Sequence, residues 1–280
     1  MPVTEHPDAG PIGRGDEATA GAPEDALPIN ELFCSLQGEG VLAGVPSVFV
    51  RTSGCNLRCW FCDSYHTSWE PTHAWMSVDD IIAEIAAHEQ ADHVVLTGGE
   101  PLIHDAVAPL LEALDDRGYH LTVETNGTIA RDLPIDLASI SPKLSSSTPS
   151  PDRGPTGGGG SSVDRDDGDR DHTLETWATH HEDARIDLEA LASLVEAAPF
   201  QLKFVVTGED DMPEICALLE RLREVTSIPI PDDRVLLMPE GATRDGLADS
   251  RAETADLALE YGFRYTPRLH VDLWNDAPNT

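Results

Sequence analysis

Apolar residues recur along this chain in two rhythms. Ser47-Val48-Phe49-Val50-Arg51-Thr52, His93-Val94-Val95-Leu96-Thr97, Leu121-Thr122-Val123-Glu124-Thr125 and Gln201-Leu202-Lys203-Phe204-Val205-Val206 are short runs rich in Val, Leu and Phe. Such runs predict strands buried on both faces. Ile29-Asn30-Glu31-Leu32-Phe33 alternates apolar and polar as a strand does, and Ser139–Ser141, Val235–Met238 and Arg268–Trp274 complete the set, the last as a closing strand. Between them the spacing turns helical. Ser77 caps a helix carrying Asp79 and Asp80 in its first turn and Ile81, Ile82 and Ile85 on one face. Further helices are predicted over His104–Arg117, around Leu188, Leu191, Leu194 and Val195, over Asp211–Val225, and from Thr243 to Tyr261.

Strands alternating with helices imply an α/β fold with a mainly parallel sheet of about six β/α units. A closed eight-unit barrel is tight for roughly 250 ordered residues. The expectation is an incomplete (partial) TIM-like β/α barrel. Ligands in such sheets sit at the C-terminal ends of the strands. The chemically unusual residues gather at those ends: Arg51 and the cysteines after it, Thr97-Gly98-Gly99-Glu100, Glu124-Thr125-Asn126, Ser141-Pro142-Lys143 and Lys203.

Composition adds three points. Residues 1–27, rich in Gly, Pro, Ala and acidic side chains, read as a disordered tail before a single domain over 28–280. A Gly-rich, Asp-rich stretch at about 145–172 reads as a flexible insertion, either a lid or an inert loop. The net charge is −33, from 51 acidic and 18 basic residues, and only Lys143 and Lys203 are lysine. This resembles the surface of a salt-adapted, haloarchaeal protein and argues against duplex nucleic acid as a partner. The absence of a long apolar run or an apolar N-terminal segment predicts neither membrane span nor secretory signal, hence a cytoplasmic protein.

Three of the five cysteines, Cys55, Cys59 and Cys62, fall in Gly54–Ser64, while Cys34 and Cys216 stand apart as core-like residues. Thiolates at these gaps can converge on one metal centre. They are one short of the four that close an ordinary zinc or iron–sulfur site. A zinc site would need a fourth ligand, for which His66 is nearest. An iron–sulfur cluster with one iron left open suits the spacing better.

The Cys55-x3-Cys59-x2-Cys62 pattern with Phe61, followed by Gly98-Gly99-Glu100-Pro101 after a strand, resembles the signature of radical S-adenosylmethionine (SAM) enzymes. Further stretches resemble the 7-carboxy-7-deazaguanine synthase family: Ser35-Leu36-Gln37-Gly38-Glu39-Gly40, Arg51, Cys62-Asp63-Ser64, Glu124-Thr125-Asn126-Gly127, Ser141-Pro142-Lys143 and Gln201–Val205. The resemblance runs from about residue 29 to 274, broken by the insertion. It implies a [4Fe–4S] cluster, SAM and Mg²⁺ as cofactors. It also implies conversion of 6-carboxy-5,6,7,8-tetrahydropterin to 7-carboxy-7-deazaguanine with loss of ammonia, a precursor for queuosine or archaeosine in tRNA. In that chemistry a 5′-deoxyadenosyl radical takes hydrogen from C6 and a magnesium-assisted ring contraction follows. A ferredoxin or flavodoxin donor and a homodimer are the expected partners.

Carried onto this chain, the resemblance gives Cys55, Cys59 and Cys62 to the cluster. It gives Phe61, Cys62, Asp63, Gly99, Glu100, Ser141, Pro142, Lys143 and Lys203 to SAM. The pterin falls to Leu36, Gln37, Gly38, Arg51 and Thr97, and Mg²⁺ to Ser64. Ser64 departs from the family's usual Thr, although its hydroxyl remains a suitable oxygen ligand. Glu100 also reads as a turn and salt-bridging residue, and Asn126-Gly127 as a simple turn. Glu124 faces either the barrel mouth or an outer helix. His180, His181 and His270, which have no partner at metal spacing, read as structural. The competing functions are a radical SAM activase of a glycyl-radical protein and a non-catalytic iron–sulfur or zinc module.

Overall fold

A computed structural model describes residues 25–154, 167–275 and 277. Its centre is one open sheet of order β3-β1-β2-β4-β5-β6-β7-β8-β9. The strands are β1 (Ala26–Leu36), β2 (Pro46–Thr52), β3 (Ala74–Ser77), β4 (His93–Gly98), β5 (His120–Thr125), β6 (Leu137–Ile140), β7 (Phe200–Val206), β8 (Val235–Pro239) and β9 (Arg264–Tyr265). From β2 through β4 to β9 every neighbouring pair is parallel. β1 runs antiparallel to both β2 and β3. The helices are α1 (Tyr65–Ser68), α2 (Val78–Ala86), α3 (Val107–Asp115), α4 (Asp167–Ala184), α5 (Leu188–Ala197), α6 (Met212–Val225), α7 (Arg244–Tyr261) and α8 (Leu269–Trp274). This is the partial β/α barrel that the hydrophobic pattern predicts.

Strand alternation sorts the side chains into two environments. Val48 and Val50, Val94 and Leu96, Leu121 and Val123, and Leu202 and Phe204 point outward into one buried apolar core with the helices. Each such fully buried side chain stabilises the fold by about 1.5–3 kcal/mol. The intervening residues Arg51, Thr97, Glu124 and Lys203 point into the curve of the sheet and line its cavity. Helix starts follow local chemistry: the side chains of Ser77, Asp187 and Thr243 accept from Asp80, Ala190 and Gly246 backbone N–H groups at the heads of α2, α5 and α7.

The sheet does not close on itself. The loop after β1 spans the gap. Gly38 O accepts from Leu269 N at 2.8 Å, the Gly40 N–H donates to Thr266 Oγ1 at 2.6 Å, and the Val41 N–H donates to Gln201 Oε1 at 2.8 Å. This explains one departure from expectation. Arg268–Trp274 is not a closing strand but the short helix α8 with its preceding residue, since the loop claims its backbone where another strand would pair.

Order also begins earlier than expected, because Ala26–Ile29 pairs with β3; residues 1–24 lie outside the described residues. Of the stretch at 145–172, residues 145–154 are folded, with a 3₁₀ turn at Ser145–Ser147, and α4 is under way from Asp167. Residues 155–166 lie outside the described residues.

Candidate active site

A cavity of about 350 Å³ opens at the C-terminal ends of the parallel strands. It collects Leu36, Gln37 and Gly38 from the loop after β1, Arg51 from β2, and Cys55, Cys59, Phe61, Cys62, Asp63 and Ser64 from the loop after β2. Thr97 and Gly99 come from the end of β4, Ser141 and Lys143 from beyond β6, and Lys203 from β7. Two residues expected at SAM are not on its wall: Glu100 and Pro142.

Sheet packing explains why the two motifs meet. Gly98 has φ +134, and a Cβ on Gly99 would lie 2.1 Å from Gly54 O. The Glu100 N–H donates to that same carbonyl at 2.9 Å. Only a glycine lets the β4 end press backbone to backbone against the start of the cysteine loop. Glu100 itself is fully buried. Its carboxylate accepts from Leu102 N (3.1 Å), Thr125 Oγ1 (2.8 Å) and Asn126 N (2.7 Å). Burial pushes its pKa up to about 7 against those donors. Its contacts tie β4 to β5, as the turn reading allows, and leave no oxygen facing the cavity.

Burial pushes all three loop thiols above the usual range, Cys55 to about 12. Such thiols become thiolates only beside a strong local positive charge, which iron supplies. Among the described residues no three His, Cys, Asp or Glu side chains converge on a single ion, so the zinc reading with His66 finds no support in the geometry. The three cysteines nonetheless open into one cavity, as ligands of a body larger than one ion do. The donor set and its spacing fit a [4Fe–4S] cluster.

The same cavity holds a polar cradle. Glu124 turns into the barrel mouth. It accepts from Gln37 Nε2 at 3.1 Å and from Thr97 Oγ1 at 2.8 Å. Gln37 also accepts the Glu39 N–H at 3.1 Å. Phe33 and Phe49, stacked at 5.2 Å and 11°, form an apolar wall of the same cavity. Arg51 pairs with Glu31 at 2.9 Å and donates to Ser64 Oγ at 2.9 Å; Ser64 in turn donates to Asp63 Oδ1 at 3.1 Å. Lys143 donates to Ser141 O and Oγ at 2.9 and 2.7 Å.

A charge network joins the two sides. Arg268, nearly buried, donates to Asp63 and to Glu39 (3.2 Å), and to Gly241 O at 2.8 Å. Lys203 donates to the other Glu39 oxygen. The surrounding protein disfavours charge on Asp63, yet Arg268 and then Arg51 hold its carboxyl below the usual range. Burial likewise works against the Lys203 ammonium, and Glu39 with Glu124 keeps its pKa above the ordinary lysine value. Lys203, expected at SAM, lines the cavity, and its side-chain partner in the structure is Glu39. His270 is no bystander either. It lines the cavity, lies 4.0 Å from Glu39, and would collide with any Cβ on Gly38.

Glu39, Arg268 and His270 are site residues that sequence reasoning did not assign, and Glu124 is one whose direction it left open. The polar residues inside the apolar Arg268–Trp274 run were the available signal for Arg268 and His270, and the Ser35–Gly40 stretch for Glu39. His181 keeps its structural reading, fully buried between α4 and the cysteine loop.

The family model of the Radical SAM superfamily matches residues 49–185. A 7-carboxy-7-deazaguanine synthase from Halobacterium salinarum is 59% identical over 280 residues, covering all of both chains. One from Rhodopirellula baltica is 37% identical over 262 residues, 93% of this chain and 91% of that one. The crystal structure of QueE from Escherichia coli superposes with a TM-score of 0.58 at 25% identity, covering 91% of this chain and 99% of that chain.

Proposed function

We propose a division of labour within the cavity from one premise: the chain belongs to the 7-carboxy-7-deazaguanine synthase family of radical SAM enzymes. The reaction is conversion of 6-carboxy-5,6,7,8-tetrahydropterin to 7-carboxy-7-deazaguanine with release of ammonia. Cys55, Cys59 and Cys62 would hold the [4Fe–4S] cluster of the family, and SAM would lie against Phe61, Gly99, Ser141 and Lys143. Bound there, cluster and SAM supply a carbon radical that removes a hydrogen atom from the substrate.

The observation that carries this reading is the hydrogen-bonded trio Glu124, Gln37 and Thr97 sharing one cavity with the cysteines. A pterin presents a planar edge of N–H donors and a ring carbonyl. A half-buried carboxylate flanked by an amide and a hydroxyl complements that edge, and the Phe33–Phe49 wall suits its flat face. Arg51, at the same wall, would meet the substrate carboxylate, for which a guanidinium is apt. Ser64 Oγ, between Arg51 and Asp63, offers an oxygen to Mg²⁺, and Asp63 adds the negative charge that a hard cation favours. The Arg268 and Lys203 network holds Asp63 and the loop of Glu39 in fixed relation, so the residues at the cluster and those at the pterin share one frame. A ferredoxin or flavodoxin donor and a homodimer complete the proposal on family grounds.

The test is anaerobic reconstitution with iron and sulfide, followed by dithionite, SAM, Mg²⁺ and the carboxytetrahydropterin. Expected are a [4Fe–4S]⁺ electron paramagnetic resonance signal that shifts with SAM, and deazaguanine product by mass spectrometry. An unchanged pterin together with SAM cleavage in the presence of a glycyl-radical partner would overturn the proposal in favour of an activase.

A further inference from the structure

Helix α4 and the turn at Ser145–Ser147 grip the cysteine loop from behind. His181 is fully buried, and its Nδ1 accepts the backbone N–H of Arg58 at 3.1 Å. That bond leaves the ring proton on Nε2, which donates to Ser147 Oγ at 2.8 Å; Ser147 passes its own proton toward Leu144 O at 2.6 Å. Four residues earlier on the same helix, Trp177 covers the Arg58 guanidinium at 3.9 Å. That guanidinium donates inward to Cys55 O at 2.7 Å and Leu57 O at 2.9 Å. The turn holds Trp60, two residues on: its backbone N–H donates to Ser147 O at 3.1 Å and its indole Nε1 to Ser146 O at 2.7 Å. None of Arg58, Trp60, Ser147, Trp177 and His181 lines the cavity.

We propose that α4 and this turn form a brace that sets how firmly the loop retains its iron–sulfur cluster, with His181 as a positioning residue. The inference rests on the functional reading above, which supplies the cluster. Arg58 lies between two of the three cysteines, and its N–H is buried. Removing the His181 ring takes away the acceptor that this N–H uses in the structure, and a shift of the loop follows as the N–H seeks another. Cys55 and Cys59 then move with it. Trp177 acts through the same residue by keeping the Arg58 side chain folded onto the loop carbonyls. Arg185, four residues beyond His181, donates to Lys143 O at 3.1 Å, so one helix ties the cluster loop to the segment that bears Lys143.

The test uses reconstituted full-length protein and follows iron release to a ferrous chelator, alongside the SAM-induced change in the [4Fe–4S]⁺ spectrum. His181→Ala should lose iron about tenfold faster than the parent. His181→Asn, whose side-chain oxygen can take the place of Nδ1, should restore most of the parent rate. Trp177→Leu, on the half-exposed side of α4, should release iron about threefold faster with an unchanged unfolding midpoint for the cluster-free chain. Parent-like release from both His181→Ala and Trp177→Leu would overturn the brace while leaving the functional reading intact. A parent protein that assembles no four-iron cluster would overturn the functional reading itself, and the brace with it.

Discussion

Thr97 donates its hydroxyl proton to Glu124 Oε2 at 2.8 Å, across the neighbouring parallel strands β4 and β5. With Gln37 on the other oxygen, the carboxylate is held in one plane before any ligand arrives. Glu124→Gln keeps the shape and removes the charge. It should lower kcat/KM for the pterin by about 10- to 100-fold, mostly through KM. SAM should still shift the cluster spectrum. Steady-state kinetics together with that spectrum check both halves; a parent-like KM would refute the assignment.

Ser64 stands between Arg51 and Asp63. Ser64→Ala should raise the Mg²⁺ concentration for half-maximal turnover by about tenfold. Ser64→Thr, which keeps the hydroxyl, should stay near the parent. Magnesium titrations of product formation distinguish the two; equal curves for all three proteins would remove Ser64 from the metal site.

Gly99 has no room for a side chain, since a Cβ would meet Gly54 O at 2.1 Å. Gly99→Ala must push β4 and the cysteine loop apart. It should destabilise the chain by about 1–3 kcal/mol and lower iron per chain after reconstitution. Iron analysis and denaturant unfolding measure this, and full iron loading at parent stability would contradict it.

Acid should loosen the network around Glu39. Burial works against its charge, yet Lys203 and Arg268 bring its pKa from 4.5 to about 2. Between those values the unfolded chain binds more protons than the folded one, so this contribution to stability is complete above 4.5 and is lost as pH falls toward 2. Lys203→Met should be destabilised at pH 7 and show a flatter decline over that window. Urea midpoints at pH 7, 4.5 and 3 provide the comparison.

Salt should act in the opposite direction to acid. At a net charge of −33, self-repulsion falls as ionic strength rises. The unfolding midpoint of the cluster-free chain should climb between 0.1 and 2 M KCl, as thermal scans would record.

The strands and most helices were legible because each carries one period over its whole length, as Val94-Val95-Leu96 and the Ile81, Ile82, Ile85 face do. The cysteines were legible because spacing alone brings them together. Arg268–Trp274 was not, since seven residues of alternating character satisfy a strand and a short helix equally, and the loop after β1 decides between them. The two readings of Glu100, SAM and turn, stayed open for a similar reason. Its place in the Gly-Gly-Glu-Pro motif is visible in sequence, but the Thr125 and Asn126 donors that turn it inward are tertiary. The partners of Lys203 and Asp63 lie far along the chain, beyond any local pattern.

That distance has a consequence for how the enzyme is made. Asp63 meets Arg268 across 205 residues of sequence. At ordinary ribosomal speeds the cysteine loop is synthesised about 10–40 s before its cationic partner. During that interval the thiols are present without the frame that holds them. A chain that stops before Arg268 therefore lacks the ion pair that fixes Asp63 beside the cysteines.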